Sequence, residues 1–303
     1  MDLIAQLRVF IQVADSGGFS SAAAQLDLPR PTVSLAVQQL EARLGARLLH
    51  RTTRRVSLTS DGQALRERAG ALVSDADEVE QLFRAQGAEL SGHLRVDLPS
   101  RIARRLVASA LPAFLARHPH ISIELGSSDR AIDLVREGVD CALRVGTVTA
   151  TSLVARPLGQ LTMVNCASPT YLTRRGVPTS PQDLAQHEAV QYAAPGGGHA
   201  SPWEWTEGGR THARTLAGPV TVNNVESYIA CGLAGLGLIQ VPAFDVQEEL
   251  ATGALVAVLA QYAAPGMAIQ IVYPHRHQAS KRLRAFNDWL AGLLAPLIAA
   301  HDA

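Results

Sequence analysis

The sequence predicts an α/β protein that carries a small α-rich domain at its N-terminus. The chain has 303 residues, which is more than one ordinary domain requires. Short amphipathic helical patterns fill its first part, and strand and helix patterns alternate from Leu94 onwards. One long helical stretch lies between them. The composition, with 47% hydrophobic and 18% charged residues, is that of an ordinary globular protein.

Two short helices separated by a tight break occupy residues 19–44. Ser20 can cap the first helix, and Asp27-Leu28-Pro29 interrupts the chain. Pro31 suits the first turn of the second helix, because its missing N–H has no partner there, and Gly45 ends that helix. Its apolar stripe is formed by Val33, Val37, Leu40 and Leu44. This pattern is typical of a helix-turn-helix.

The other face of the second helix carries small and hydrogen-bonding side chains. The candidates for contact with DNA are Arg30, Pro31, Thr32, Ser34, Leu35 and Gln38. An arginine can pair with guanine through two hydrogen bonds, whereas a leucine can only pack, for example against a thymine methyl. We therefore expect this helix to read base edges of double-stranded DNA.

Positive charge is concentrated next to this helix. The whole chain balances 27 basic against 27 acidic residues, yet residues 30–55 hold six arginines and a single acid, Glu41. Residues 50–55 lie between Leu48-Leu49 and the alternating Val56-Ser57-Leu58, which predicts a β-hairpin with a basic tip. Local positive potential attracts phosphates. We expect a wing that holds the DNA backbone through Arg51, Thr53, Arg54 and Arg55; a solvated basic loop is the alternative.

A long helix follows the predicted wing. Thr59 or Ser60 can cap it, and Ser60 with Gln63 has capping-box spacing. Its apolar residues recur at heptad spacing: Leu65, Ala69, Leu72, Ala76, Val79 and Phe83. This seam predicts that two chains pair, and packing on its own domain is the alternative. Gly87 and Gly92 lie in the hinge that follows.

Residues 1–62 resemble the DNA-binding domain of LysR-type transcriptional regulators. The matching stretches include Gly18-Phe19-Ser20, Pro31-Thr32-Val33-Ser34, Leu40-Glu41-Ala42-Arg43-Leu44-Gly45 and Leu48-Leu49-His50-Arg51-Thr52-Thr53-Arg54. Two groove-facing positions depart from the family, which commonly has Gln at Arg30 and Arg at Leu35; these departures concern the base sequence that is read. The resemblance implies promoter DNA as a partner, with RNA polymerase as a further candidate.

The C-terminal part predicts an α/β fold with mostly parallel sheets. The strand candidates are residues 94–98, 121–125, 140–145, 161–166, 221–222, 238–241 and 267–273. The helix candidates are residues 102–117, 130–137, 224–234 and 281–294. Ligands of such sheets bind beyond the carboxyl ends of strands, often against helix N-termini.

This part also resembles the LysR-type effector domain, at Leu94 to Gly146, Ala167 to Leu172 and Gly232 to Leu238. The resemblance implies a two-lobed fold like a periplasmic solute-binding protein. Lobe one would contain residues 91–161 and 266–303, and lobe two residues 162–265. The three segments of the chain would then be a DNA-binding domain (1–62), a dimerising linker helix with its hinge (63–90) and an effector domain (91–303).

Carried over by position, the cleft between the lobes would be lined by Ser100, Arg101, Ser127, Ser128, Thr147, Asn224 and Glu226. Hydroxyl groups, helix N-termini and one arginine suit a carboxylate. We therefore expect a small, anionic effector. The alternative is that Ser100 and Asn224 only cap helices and that Arg101 is an ordinary surface arginine.

Other chemistries have little support in the sequence. Gly232-x-x-Gly235-x-Gly237 ends a helix instead of opening one, so we expect no cofactor. No metal site or catalytic constellation is recognisable, and we expect no enzyme activity. Cys141, Cys166 and Cys231 are interpreted as reduced, buried side chains, with a redox pair as the alternative.

Localisation and assembly complete the prediction. The chain shows no basic and apolar signal segment and no long apolar run, so we expect a cytoplasmic protein. Family likeness implies tetramers built from two dimers. Two other interpretations remain open, namely an enzyme or solute-binding module with a DNA-binding appendage, and a purely architectural DNA binder.

Overall fold

The computed structural model describes residues 1–51, 56–82, 90–130, 132–146, 153–193, 200–274 and 281–299. The chain divides into two compact units. The first comprises Met1–His93 with His120–Ser122 and Asp133–Val139, and the second comprises Leu94–Pro119, Ile123–Ile132 and Asp140–Ala303. No helix among the described residues is long and apolar enough to cross a membrane.

The N-terminal part of the chain is helical apart from one hairpin. Its elements are α1 (Leu3–Ser16), α2 (Phe19–Gln25), α3 (Arg30–Leu44), β1 (Leu49–Arg51), β2 (Val56–Leu58) and α4 (Ser60–Leu82). The two strands pair antiparallel, with Leu49 opposite Leu58, so the hairpin predicted for the wing is present. Side chains from α1, α3 and β1 form one buried core that includes Phe10, Val33 and Leu40.

The helix-turn-helix follows the sequence pattern with two differences. Gly45 ends α3 at φ 65°, in the left-handed region that glycine adopts without strain. Val33, Val37 and Leu40 are buried as predicted, but the prediction for Leu44 is wrong. Leu44, the last helical residue, is 46% exposed, and Ala36 joins the buried stripe instead. The predicted cap at Ser20 is also wrong, because α2 begins at Phe19 after Gly18 without a side-chain cap.

Hydrogen bonds of Thr59, the residue before α4, connect the start of this helix to the segment before β1. The Thr59 hydroxyl accepts a hydrogen bond from the Gly62 N–H at 2.9 Å and donates one to the Arg47 carbonyl at 2.6 Å. Thr59 therefore caps the helix, and its partner is Gly62. A Cβ at Gly62 would overlap the carbonyl oxygen of Leu48, so only glycine fits this close approach.

The predicted heptad seam of α4 divides into two parts. Ala69 is buried in the N-terminal core, and Leu65 and Val73 pack against the same core. This half of the helix packs on its own domain, which was the alternative interpretation. Leu72, in contrast, is 50% exposed. The side chain of Val79, and all of Phe83 and Gly87, lie outside the described residues.

The remaining strands are β3 (Ser91–Leu98), β4 (His120–Ser127), β5 (Cys141–Val145), β6 (Leu153–Leu161), β7 (Met163–Ala167), β8 (Gln191–Tyr192), β9 (Trp203–Glu207), β10 (Arg210–Arg214), β11 (Thr221–Val222), β12 (Ile239–Pro242), β13 (Val256–Ala257), β14 (Met267–Pro274) and β15 (Ile298–Ala299). The remaining helices are α5 (Ser100–Ile102), α6 (Ala108–Arg117), α7 (Leu134–Glu137), α8 (Pro169–Arg175), α9 (Val225–Leu233), α10 (Gln247–Ala251) and α11 (Lys281–Leu294). A π-helical turn, Ala103–Val107, joins α5 to α6 in one continuous helical segment.

Six strands form the largest sheet, in the order β15-β6-β14-β5-β3-β4. Strand β3 runs parallel to β5, but β14 runs antiparallel to both β5 and β6. The expectation of mostly parallel sheets is therefore wrong. The chain leaves this sheet after Leu161 and returns at Met267, which pairs with Leu161, so the outgoing and returning strands must run in opposite directions.

The chain between β6 and β14 builds a second set of smaller sheets. Strand β7 lies between β12 and β13 and is antiparallel to both. Strands β8 and β11 pair parallel, and β9 and β10 form a hairpin. Buried side chains including Tyr171, Trp203 and Leu238 form one core here, and a second core lies under α9 with Ile229 and Ile239.

Candidate functional sites

The surface of α3 that was predicted to read DNA is open to solvent. Arg30, Pro31, Leu35 and Gln38 are exposed, and Thr32 and Ser34 are half-buried. Leu35 is 54% exposed although it is a large apolar residue on a helix whose other face is fully packed. An exposed apolar side chain amid hydrogen-bonding neighbours suits a surface that meets base edges.

The geometry that presents this face begins in the turn before α3. Asp27 adopts a positive φ of 51°, a conformation that Asp tolerates better than most residues. Pro29 then precedes the helix in an extended conformation, and Pro31 lies in the first turn. This break fixes where α3 starts and places Arg30 at its first position.

A carboxylate that the sequence interpretation did not single out connects α3 to the wing. Glu41 accepts hydrogen bonds from the backbone N–H groups of Leu48 and Leu49 at 2.9 and 3.3 Å. The one acid in the basic stretch thus holds the start of the hairpin against α3. The wing-tip candidates Thr53, Arg54 and Arg55, and the side chain of Arg51, lie outside what the structure describes.

Arg101 lies at the centre of a buried charge cluster in the second unit. It is 3% exposed and donates to Glu226 at 2.9 Å and to Glu249 at 3.1 Å. Its guanidinium also contacts the Asp245 carboxylate at 3.4 Å and bonds to the Asp245 carbonyl. The expectation of an ordinary surface arginine is therefore wrong. The charge of Arg101 is balanced by acids from the chain between β6 and β14.

Two neighbouring arginines extend this cluster toward solvent. Arg104 pairs with Glu226 at 2.9 Å, and Arg105 pairs with Glu248 at 3.2 Å. Burial alone would raise the pKa of Glu226, but the bonds from Arg104 and Arg101 lower it below its usual range. Glu226 is thus a charged partner of both arginines.

Asp245 is the most perturbed acid of the cluster. Burial raises its pKa to about 7, and the nearby charges of Arg101 and Arg105 offset that only in part. Glu226 and Asp129 add repulsion that raises the pKa further. Asp245 is therefore the acid of this cluster with a pKa close to neutral pH, whereas the pKa of Glu226 is lowered.

Ser100 and Asp129 form a second hydrogen-bonded feature next to this cluster. Asp129 accepts hydrogen bonds from the Ser100 N–H at 2.8 Å and from the Ser100 hydroxyl at 2.9 Å. It also accepts one from the Val225 N–H at 2.8 Å. Ser100 begins α5 and Val225 begins α9, so one carboxylate joins two helix N-termini. The sequence interpretation selected Ser100 but did not select Asp129.

The other candidate residues of the cleft have separate local roles. Asn224 caps α9 through a hydrogen bond from the Ser227 N–H at 2.8 Å, the capping role that was left open. Ser128 accepts from the Arg130 N–H at 3.2 Å. Ser127 is exposed at the end of β4, and Thr147 lies outside the described residues.

Metal and thiol chemistry have no geometric basis in the described part of the chain. No group of three His, Cys, Asp or Glu residues there could hold a metal ion. Cys141, Cys166 and Cys231 are free thiols. Burial raises the pKa of Cys166 to about 12, so this group stays a thiol at neutral pH.

Comparisons with known proteins agree with this architecture. Residues 4–63 match the family described as bacterial regulatory helix-turn-helix protein, lysR family, and residues 87–295 match the LysR substrate binding domain. A helix-turn-helix followed by a ligand-binding α/β domain defines a class of effector-responsive transcription regulators. The chain belongs to the LysR family of these regulators.

Individual relatives extend over nearly the whole chain. An HTH-type transcriptional regulator of Escherichia coli, YhjC, is 44% identical over 97% of this chain and 98% of its own length. An HTH-type transcriptional repressor of Pseudomonas aeruginosa is 35% identical over 97% of this chain and 93% of its own length. The solved structure of CrgA from Neisseria meningitidis, a LysR-type regulator, has a TM-score of 0.61 at 33% identity over 96% of this chain and 98% of that one.

The family assignment states the general function. The protein is a DNA-binding transcription regulator with an effector-binding domain. The family binds promoter DNA, responds to small molecules and forms oligomers.

Proposed function

We propose that α3 reads base edges through Arg30, Thr32, Ser34, Leu35 and Gln38, with Pro31 setting its first turn. The observation that carries this proposal is the open face of α3, where Leu35 is exposed beside polar side chains. The basic tip of the wing, with Arg51, Thr53, Arg54 and Arg55, would hold phosphates.

This division of roles is tested by DNA selection and titration. The full-length protein is used to select its preferred sites from a random duplex library, and binding is then measured on a selected and on a scrambled duplex. Arg30→Ala should cost about 1–3 kcal/mol on the selected duplex and less on the scrambled one. Arg54→Ala should weaken both alike and reduce the salt slope by about one. Equal losses on both duplexes for Arg30→Ala would refute the base-reading role.

We further propose the domain boundaries that the family likeness implies: DNA binding in residues 1–62, a linker in 63–90 and an effector domain in 91–303. Support for two lobes comes from β6 and β14, since the chain leaves the large sheet at Leu161 and re-enters it at Met267. Lobe one would then be 91–161 with 266–303, and lobe two 162–265.

The effector would bind between these lobes, near Ser100, Arg101, Asn224 and Glu226. Ser127, Ser128 and Thr147 remain candidates for the rim of this cleft. Ion pairs connect Arg101, which would belong to lobe one, to Glu226 and Glu249, which would belong to lobe two, so a ligand here could change how the lobes meet. Its influence on DNA binding can only be as large as its preference for one arrangement over the other. A metabolite screen by thermal shift, followed by footprinting with each hit, tests this role.

The exposed half of α4 supports pairing of two chains through the linker. Leu72 is a large apolar residue that is 50% exposed, and a second copy would bury the exposed half. Leu72→Asp should therefore give a smaller particle in light scattering, whereas Ala64→Asp, at an exposed position of the same helix, should not. An unchanged particle for Leu72→Asp would contradict the pairing. A tetramer of two such dimers, a cytoplasmic location and contact with RNA polymerase are proposed on family likeness.

A further inference from the structure

Asp129 accepts hydrogen bonds from backbone N–H groups at the starts of two different helices. Its carboxylate accepts from the N–H of Ser100 and from the N–H of Val225, both at 2.8 Å. The Ser100 hydroxyl adds contacts to both carboxylate oxygens, at 3.1 and 2.9 Å. The donors come from two separate parts of the second unit, because Ser100 follows β3 of the large sheet and Val225 belongs to the chain between β6 and β14.

Both N–H groups are first-turn groups of helices. Such groups have no partner inside their own helix and carry the positive end of its dipole. Residues 100–117 form one continuous helical segment, and α9 covers Val225–Leu233. Asn224 satisfies Ser227 in the first turn of α9 but not Val225. The Asp129 carboxylate accepts the hydrogen bond of the Val225 N–H. It also accepts that of the Ser100 N–H, at the start of the other helix.

The arginine next to Ser100 is also paired with acids of the protein. Arg101 follows Ser100 directly and is surrounded by Glu226, Asp245 and Glu249. Within the described cleft, the groups best suited to receive an anion therefore already hold carboxylates of the protein. Asp129 stands at the position where the N-termini of both helices would hold a ligand's carboxylate.

We propose that Asp129 is a tethered carboxylate that takes the place of an anionic ligand and holds the two sides of the cleft together. An effector with a carboxylate would act by displacing Asp129 from Ser100 and Val225. This inference rests on the proposed effector role of this site and adds the residue with which an anionic effector would compete. It also identifies Asp129 as the residue that sets the specificity of the site.

Tethering explains why simple carboxylates would not activate such a site. A group attached to the chain competes with an effective concentration on the order of millimolar or above. Free acetate at low concentration cannot match that, whereas a larger carboxylate can add contacts elsewhere in the cleft. Removing the Asp129 side chain should open the position to acetate itself.

Hydrogen exchange of the full-length protein tests the inference directly. In Asp129→Ala, peptides that contain the amides of Ser100 and Val225 should exchange about 10- to 100-fold faster, because each loses a hydrogen bond to a charged group. Potassium acetate, compared with potassium chloride at equal ionic strength, should restore the protection. The wild-type protein should show no acetate effect.

Asp133→Ala is the matched control. Asp133 also accepts two backbone hydrogen bonds, from Val135 and Arg136 at 3.1 and 3.0 Å, but both donors belong to the same helix, α7. This variant should lose protection only at α7, and acetate should leave the peptides around Ser100 and Val225 unchanged.

Three results would overturn the inference. Unchanged exchange at Ser100 and Val225 in Asp129→Ala would mean that Asp129 does not hold these groups. Faster exchange without rescue by acetate would mean that the site does not accept a free anion. Should Asp129→Ala fail to fold, Asp129→Asn retains the shape but not the charge, and wild-type protection in that variant would equally refute the role of charge. The experiment needs neither effector nor DNA. It can therefore fail while the proposed DNA and effector roles stand, and those roles can fail while it succeeds.

Discussion

The exposed face of α3 and the charge cluster around Arg101 use similar residues in opposite ways. On α3, Arg30 and Gln38 are exposed beside Leu35. In the cluster, Arg101 is buried and paired with three acids, and the nearby Asp129 is bonded to Ser100 and Val225. A partner of α3 would meet side chains that lie in solvent, whereas a ligand at the cluster would compete with bonds that the protein makes to itself.

This difference predicts where substitutions affect folding and where they affect only binding. Cleft residues should change stability first, since their charges are compensated inside the protein. Residues on the open face of α3 should change DNA binding with little effect on folding. The following variants test that separation, from the largest expected effect to the smallest.

Arg101→Ala should lower the free energy of unfolding by about 3–5 kcal/mol, because it leaves buried acids without their cation. Urea unfolding followed by tryptophan fluorescence measures this change in the second unit, where Trp203, Trp205 and Trp289 all lie. Arg104→Ala is the control, since Arg104 bonds to the same Glu226 from a side chain that is 64% exposed. Its loss should cost at most about 1 kcal/mol, and similar losses for both variants would remove the distinction between buried and exposed partners.

Asp245→Asn should flatten the dependence of stability on pH. Burial raises the pKa of Asp245 to about 7 in the fold, well above the ordinary value of an aspartate, so the folded protein binds a proton that the unfolded chain releases. The contribution of this group to the free energy of unfolding is therefore largest below about pH 4 and is lost as pH rises to about 7, a change on the order of 4 kcal/mol. The difference in free energy of unfolding between wild type and variant, measured with urea from pH 4.5 to 8, isolates the contribution of Asp245. A constant difference would contradict the raised pKa.

Asn224→Ala should destabilise the second unit by about 1 kcal/mol, because the first turn of α9 loses its cap. Asn224→Ser keeps a capping oxygen and should restore most of the loss. If Asn224 instead serves an effector, both variants would keep wild-type stability and change only the response to ligand. The same fluorescence titration distinguishes these outcomes.

Leu35→Ala should have the smallest effect on folding, within about 0.5 kcal/mol, because Leu35 is exposed. It should still weaken binding to a selected duplex that contains thymine at the contacted position. Leu40→Ala on the same helix removes a buried side chain and should cost about 2–5 kcal/mol. Calorimetry measures both. A large loss of stability for Leu35→Ala would place Leu35 in a packing role and weaken the comparison.

The sequence predicted best those features that local rules determine. Pro31 and Gly45 mark the limits of α3, and the helix predicted at residues 281–294 is found as Lys281–Leu294. Strand β6 was missed because Arg156, Pro157 and Gly159 disfavour a strand by propensity, and pairing with β14 outweighs that preference. Helix α8 was missed because seven residues give too little periodicity.

The cleft was predictable only in part, because its chemistry depends on long-range pairs. Ser100, Arg101 and Glu226 were selected because the resemblance to the LysR-type effector domain implies a ligand site at these positions. Nothing local to Asp129 or Asp245 indicates that they lie against Ser100 and Arg101, residues that are distant in sequence. For the same reason, local patterns could not indicate that Arg101 is already neutralised.

The π-helical turn Ala103–Val107 determines how Ser100 and Arg101 are oriented relative to α6. Successive residues of a helix are rotated by about 100°, so one residue more or fewer in this turn changes the direction in which Ser100 and Arg101 point relative to α6. The turn therefore sets the rotation between α6, which contacts α11 through Phe114 and Phe286, and the groups at Ser100 and Arg101. Deleting Ala103 would keep every charged side chain of the cluster and still rotate Ser100 and Arg101 away from Val225 and Glu226. Among relatives, a one-residue gap at this position would therefore indicate a differently oriented cleft even where its residues are identical.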